Sequence, residues 1–291
     1  MLVVIMVRTV NHIGYCHWLC EPEWLELDED VEIVNDLTCG WQRKENCFNV
    51  FVDYNEPDIF LRTKLNHVLE RVNDFDLIVT RRPELLEYPN AKKLLCGGCW
   101  LSEEYRNNPN TNKDPSVSFT STNKCLLFYR GIIDGYDMRY DIIRNWNEVV
   151  SYCSLPMYFY NSLKFPVPTI NPVEQKFLHE TNKNECMDHM FHIAVENSSL
   201  PNYITEKIID CFASKSIPIY YGCENIGEYF DSDGILQFRT QDELIQILNN
   251  ISPELYEEKR EVIDKNYELS KKWWDTNTIF WNYVVEGISK R

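Results

Sequence analysis

Short runs of β-branched and aromatic residues recur along this chain, separated by stretches with helical spacing of their apolar positions. FNVFVD at 48–53, DLIVT at 76–80, SVSFT at 116–120, FHIAV at 191–195 and IPIYY at 217–221 have strand length and strand composition. Residues 2–7 and 91–95 read as further strands. Between them, Leu61, Leu65, Val68, Leu69 and Val72 fall on one helical stripe, as do Tyr140, Ile143 and Trp146, and then Ile208, Ile209 and Phe212. Two more helices are expected at 243–248 and 253–271. Strands alternating with helices define the α/β class. A chain of 291 residues suggests about two domains. The polar, proline-bearing segment NNPNTNKDP at 107–115 is the natural linker. The expected organisation is therefore a Rossmann-like domain over 1–112, a second over 113–272, and a helix over 273–291 that crosses back to the first. A ligand cleft between two such halves would satisfy the pattern.

Charge narrows the choice of partners. Lysine and arginine total 29 against 45 aspartates and glutamates, a net charge of −16. Such a chain repels nucleic acid and anionic membrane surfaces, yet a local cluster of donors can still hold a small anion. No segment approaches ~18 uninterrupted apolar residues, so no transmembrane span is expected. The apolar start, MLVVIMV, is too short for the core of an export signal. The eleven cysteines are scattered, several inside apolar patterns such as Cys125 and Cys211. That is the usage of reduced, buried thiols and points to a cytoplasmic location. Oligomeric state is open.

The densest chemical signal is ENSSLPNYITEKIIDCFASKSIPIYYG at 196–222. A strand delivers Glu196 and Asn197 to its carboxyl end, a polar loop follows, and a helix begins at Thr205, a natural N-cap. The unpaired N–H groups of a helix start carry partial positive charge and suit a phosphate. Lys207 adds a full charge that can reach a diphosphate. Glu206 must face something other than phosphate, and a carboxylate is a good acceptor for sugar hydroxyls. Periodicity alone would equally allow a dipole-complementing Glu206 and a solvated Lys207.

Glu196, Asn197, Ser198, Tyr203, Thr205, Glu206, Lys207, Pro218 and Gly222 match, in order and spacing, the FENS…YVTEK…VPVYWG signature of the α1,3-fucosyltransferases of glycosyltransferase family 10. The chain resembles that family over about residues 115–240. The resemblance implies a GT-B fold, with two Rossmann-like domains and the nucleotide sugar on the C-terminal one. It implies an inverting transfer that needs no metal or other cofactor, with GDP-fucose as donor and a glycan-type acceptor. Tyr203, Glu206 and Lys207 would contact the donor, with Glu196, Asn197, Ser198 and Thr205 at the same site. A second block, SFTSTNK followed by GYDMRYDII, resembles the family's strand and arginine helix. There Arg139 would hold the diphosphate through its planar fork, with Lys124 as a further cation. Without the resemblance, Arg139 would serve equally well in an ion pair with Asp137 or Asp141.

An inverting transfer also needs a base for the acceptor hydroxyl. Family members carry a glutamate in a turn after an N-terminal strand. Here FVDYNEPD places Glu56 in that position, with Asp53, Asp58 and Glu84 as rivals. Another nucleotide sugar, or an inactive sugar-nucleotide-binding protein, are the alternatives. Asp231-Ser232-Asp233 and Asp74-Phe75-Asp76 have the form of a metal-binding DxD but sit outside the donor block, and both read as structural. Cys96-Gly97-Gly98-Cys99 ends a strand and has no second pair at zinc spacing, so it reads as a glycine turn. The aromatic C-terminal run reads as core packing.

Overall fold

The structure, a computed structural model, describes the chain apart from residues 1–8, 14–18, 24, 54–63, 96, 122–130, 162–169, 172–173 and 178–182. It divides into two compact units. The first comprises Met1–Cys96 and Asp275–Arg291, the second Gly97–Trp274.

In the first unit, β1 (Val10–Ile13), β2 (Asp30–Val34), β3 (Cys47–Asp53), β4 (Leu77–Thr80) and β5 (Ala91–Lys93) form a parallel sheet in the order β1-β2-β3-β4-β5. The expected strand at 2–7 lies outside the described residues. β3 is buried at every position, as a strand covered on both faces must be. Its alternate residues divide between two cores. Phe48, Val50 and Val52 pack with Phe280, Trp281 and Val284 of the helix Thr276–Ser289. Phe51 packs on the opposite face with Trp41, Val68, Val72, Phe75 and Leu85.

Topology explains the division. Right-handed crossovers that all step in one direction put their connecting segments on one face of the sheet. The described residues of the connections from β2 through β5 pack on one face in this way, and the C-terminal helix covers the other. Gly287 lets that helix sit close, because a Cβ there would stand 2.5 Å from the Phe48 ring.

In the second unit, β6 (Asp114–Ser121), β7 (Met157–Asn161), β8 (Gln175–Phe177), β9 (His189–Val195), β10 (Ile217–Tyr221) and β11 (Leu236–Gln237) form a parallel sheet in the order β11-β10-β9-β6-β7-β8. This is the Rossmann order: the chain winds outward from β6 to β8, then returns to lay β9 beside β6 and winds the other way. The packing of Phe119, Trp146 and Phe159, with ring centroids 5.7–6.3 Å apart, anchors the β6–β7 side.

The second unit begins at Gly97, earlier than a boundary at residue 112. Gly98 and Cys99 donate backbone hydrogen bonds to the carbonyls of Trp273 and Trp274, and the Trp100 amide donates to Asp210 at 2.8 Å. Gly98, at φ +112°, occupies a conformation that favours glycine. Burial raises the Cys99 thiol to about 12, with Asp210 adding to the effect, which makes it a poor nucleophile or metal ligand. Cys96 lies outside the described residues. Among the described residues, no helix is long and apolar enough to cross a membrane.

Candidate functional site

In an open parallel sheet, ligands bind beyond the carboxyl ends of the strands where the winding direction reverses. In the second unit that point lies between β6 and β9, and the residues singled out from sequence gather there. β9 ends at Val195 and hands the chain to Glu196, Asn197 and Ser198. The helix that follows β6 spans Asp134–Arg144 and carries Arg139. Its start meets the end of β9 at very short range. The Gly135 amide donates to the Asn197 carbonyl at 3.1 Å, and a Cβ on Gly135 would lie 1.9 Å from the Glu196 carbonyl oxygen. Only glycine permits this approach.

Arg139 is buried at 7% exposure. It donates to the Val195 carbonyl at 3.1 Å and to Asn197 Oδ1 at 2.7 Å, and it stacks on Tyr136 with 4.4 Å to the ring centroid. Among the described residues it forms no ion pair. Asp137, one of the partners considered from sequence, instead accepts from the Gly131 amide. A guanidinium has five N–H donors, so the two bonds leave Arg139 with capacity for an anion.

On the far side of the loop, Thr205 caps the helix Glu206–Ser214. Glu196 is fully buried. Its carboxylate accepts from the Thr205 amide at 2.9 Å and the Thr205 hydroxyl at 2.5 Å, with Lys207 Nζ 3.7 Å away. Burial raises the Glu196 carboxyl, and Lys207 and Thr205 act against the rise. Glu196 thus ties the end of β9 to the helix start. Lys207 Nζ also lies 3.2 Å from Glu206 Oε1. For Glu206 burial again works upward, but the charges of Lys207 and Lys183 outweigh it and lower the carboxyl. Tyr203 is fully buried in the connecting loop. Asn202, at φ +59°, turns that loop, and Asn225 braces it from both sides at 2.8 and 2.9 Å. Asparagine is among the few side chains at ease in this left-handed region.

Sequence reasoning missed Asp134 and Arg239 and gave Gly135 and Tyr221 no role of their own. Asp134 accepts from Ser198 Oγ at 2.6 Å, the Ser199 amide at 2.8 Å and Tyr221 Oη at 2.8 Å. Burial pushes its carboxyl up, and these three donors more than reverse the effect, lowering it. Arg239 follows β11 and donates to Ser199 Oγ and the Gly222 carbonyl, both at 2.9 Å. A Cβ on Gly222 would stand 2.4 Å from Glu196 Cγ, so this glycine too is dictated by close packing. The DG pair ahead of the Tyr140–Trp146 helical stripe was the available signal for Asp134 and Gly135. Nothing local marked Arg239.

Glu56 and Asp58, the sequence candidates for a base, and Lys124 lie outside the described residues. The rival Asp53 is buried at the end of β3 and pairs with Arg82. Both DxD segments have structural roles. Asp231 pairs with Lys265 at 2.7 Å and accepts from the Asp233 amide, and Asp76 pairs with Arg43 at 2.7 Å.

Comparison with known proteins agrees with this geometry. Residues 157–276 match the model of glycosyltransferase family 10 (fucosyltransferase), C-terminal part. The resemblance to that family thus extends beyond the motif that first revealed it. The alpha-(1,3)-fucosyltransferase FucT of Helicobacter pylori is 33% identical over 91 residues, which make up 30% of this chain and 18% of that protein. The matched stretch therefore spans less than a fifth of the relative. Among solved structures, an alpha1,3-fucosyltransferase with GDP-fucose superposes with a TM-score of 0.50 at 16% identity, over 88% of this chain and 78% of that one. Anabaena Alr3699/HepE in complex with UDP-glucose reaches 0.54 at 12% identity, over 90% and 79%. TarM reaches 0.52 at 13% identity, over 89% of this chain and 54% of that one. The fold is α/β and of the GT-B glycosyltransferase type, with two Rossmann-like units.

Proposed function

We propose that this chain is an inverting glycosyltransferase that moves fucose from GDP-fucose onto a hydroxyl of a glycan-type acceptor, without a metal. The observation that carries the reading is Arg139, a buried cation with no carboxylate partner among the described residues, held at the switch point beside Asn197. A buried charge without a counter-ion is costly, and the diphosphate of a nucleotide sugar would supply the missing partner. The ordered match of residues 196–222 to the family 10 signature supports reading that anion as part of a sugar nucleotide.

In this reading Arg139, Lys207 and the start of the helix Glu206–Ser214 stabilise charge on the departing diphosphate, the task a divalent cation performs elsewhere. Glu206 accepts hydroxyls of the sugar nucleotide. Glu196 and Thr205 keep the helix start in register with the end of β9, and Asn197 and Ser198 support Arg139 and Asp134. The acceptor oxygen attacks the anomeric carbon as the bond to the diphosphate breaks. Glu56 takes the proton of the acceptor hydroxyl, and the configuration at the anomeric carbon inverts.

The deciding experiment is a thermal-shift titration with GDP-fucose, GDP-mannose and UDP-glucose, followed by a transfer assay with and without EDTA. A ligand that binds only the native state raises the melting temperature. GDP-fucose should raise it most, and EDTA should leave transfer intact. A larger shift with UDP-glucose would move the reading to another donor, and loss of transfer in EDTA would refute the metal-free step.

A further inference from the structure

The described arginines differ in how they are paired. Arg43, Arg71, Arg82, Arg260 and Arg291 each pair with a carboxylate. Arg139 and Arg239 hydrogen-bond only to neutral oxygens among the described residues. These two grip the same short loop. Arg139 holds Asn197 at its start, and Arg239 holds Ser199 two residues on. In a chain of net charge −16, carboxylates are plentiful; Arg106, which stacks on Trp274, and Arg144 also lack an ion pair among the described residues, but Arg139 and Arg239 do so on one loop.

Arg239 differs from Arg139 in being exposed. Its position is nonetheless built. β11 is paired with β10, and the Phe238 amide donates to the Tyr220 carbonyl at 3.0 Å. The next residue's amide is fixed by Glu243, whose carboxylate accepts from Arg239 N at 2.5 Å and Thr240 N at 3.3 Å. That carboxylate is thereby committed to the cap of the helix Gln241–Asn250 and not to the guanidinium. Asp134, which meets the same loop, is already satisfied by Ser198, Ser199 and Tyr221. Through Nη1, Arg239 bridges Ser199 and Gly222, at the carboxyl ends of β9 and β10. Its remaining N–H groups have the fork geometry that recognises phosphate oxygens.

We infer that Arg239 is a second anion-binding arginine of this site and contacts the diphosphate of the nucleotide sugar. The inference rests on the donor reading proposed above and adds to it a residue outside the recognised motif. In this arrangement Arg139 engages the diphosphate from the β6 side of the crevice and Arg239 from the β10 side. The 197–199 loop positions both cations.

Calorimetric titration of the whole chain with GDP and UDP tests this, using wild type, Arg239→Gln and Arg239→Lys. Glutamine keeps an N–H donor but carries no charge. The expected result is about a tenfold loss of GDP affinity in Arg239→Gln, in line with a lost charge-assisted bond. The melting temperature of the ligand-free protein should be unchanged, and Arg239→Lys should recover part of the affinity. GDP affinity within twofold of wild type in Arg239→Gln overturns the inference, whether or not the melting temperature drops. A loss of affinity that comes with a lower melting temperature and is not recovered by lysine marks Arg239 as a strut and also overturns it. A wild type that binds neither GDP nor UDP refutes the donor reading itself, and the role of Arg239 falls with it.

Discussion

The two sheets of this protein are both parallel, yet they treat the carboxyl ends of their strands differently. In the first unit the strand order is sequential, and no reversal of winding occurs among the described strands. Polar groups there are matched in place. Asp53 at the end of β3 pairs with Arg82, and buried Glu32 in the middle of β2 accepts from the Trp41 indole at 2.7 Å and pairs with Lys44. In the second unit the winding reverses between β6 and β9, and a buried arginine lies beside the reversal without a carboxylate partner among the described residues. The lesson is that a reversal makes room. Connections that run off in opposite directions leave a crevice, and unmatched charge can be kept there for a ligand.

The largest effect that would test this comparison comes from glycine. Gly135→Ala places a Cβ 1.9 Å from a backbone carbonyl, which cannot move without parting β9 from the helix start. It should cost about 3 kcal/mol or more in chemical denaturation, the upper range for overpacking. Gly287→Ala in the first unit meets the Phe48 ring, which can shift, and should cost about 1 kcal/mol. Equal losses would break the contrast between a rigid crevice and an adjustable core. Next, Asp53→Ala should cost about 3 kcal/mol by breaking a buried ion pair, while leaving GDP affinity unchanged. A coupled loss of GDP binding would show that the first unit also serves the donor.

Acid should act mainly through the second unit. Burial, helped by Lys176, lowers His189 from 6.5 to about 4, and its ring is held by Ser116 at 2.6 Å and Tyr160 at 2.8 Å. Between pH 6.5 and 4 the unfolded chain therefore binds a proton that the folded one refuses, so stability falls as the pH falls through that window. The loss at the lower end should be about 3 kcal/mol for this group. Thermal melts across the window should show it, and His189→Gln should flatten the slope. A slope unchanged by that variant would place the acid sensitivity elsewhere.

Smaller effects separate the cations of the crevice. Arg139→Gln should weaken GDP by about thirtyfold, or ~2 kcal/mol. Lys207→Ala should weaken it by only about fivefold, or ~1 kcal/mol, because the ammonium is already shared between Glu206 and Glu196. A reversed ranking in isothermal titration would make Lys207 the principal diphosphate ligand.

Much of this architecture was legible from sequence. The runs at 48–53, 76–80, 116–120, 191–195 and 217–221 are strands, observed as Cys47–Asp53, Leu77–Thr80, Asp114–Ser121, His189–Val195 and Ile217–Tyr221. Parallel strands buried on both faces leave little ambiguity in composition. β2 was missed because Glu32 interrupts its apolar run, and the partners that make its burial tolerable come from Trp41 and Lys44 further along the chain. The helix expected along Tyr140, Ile143 and Trp146 starts at Asp134 and breaks at Asn145, and that at 253–271 breaks at Lys259. Periodicity continues through such breaks, since the stripe survives a change of helix axis.

Local pattern by itself determined the α/β class, the strand that delivers Glu196 and Asn197, the Thr205 cap, and the resemblance that marks Arg139 and Lys207. These are properties of neighbouring residues, set by pleat, helical period and hydrogen-bonding reach. Tertiary structure alone decided that Asp134 and Arg239 belong to the same site, and why Gly135 and Gly222 must be glycine there. Each meets the 196–199 loop from a different stretch of chain, and only the reversal of strand order brings those stretches together. It also decided which cations are free to serve an anion, because pairing depends on distance in space, which sequence spacing does not encode.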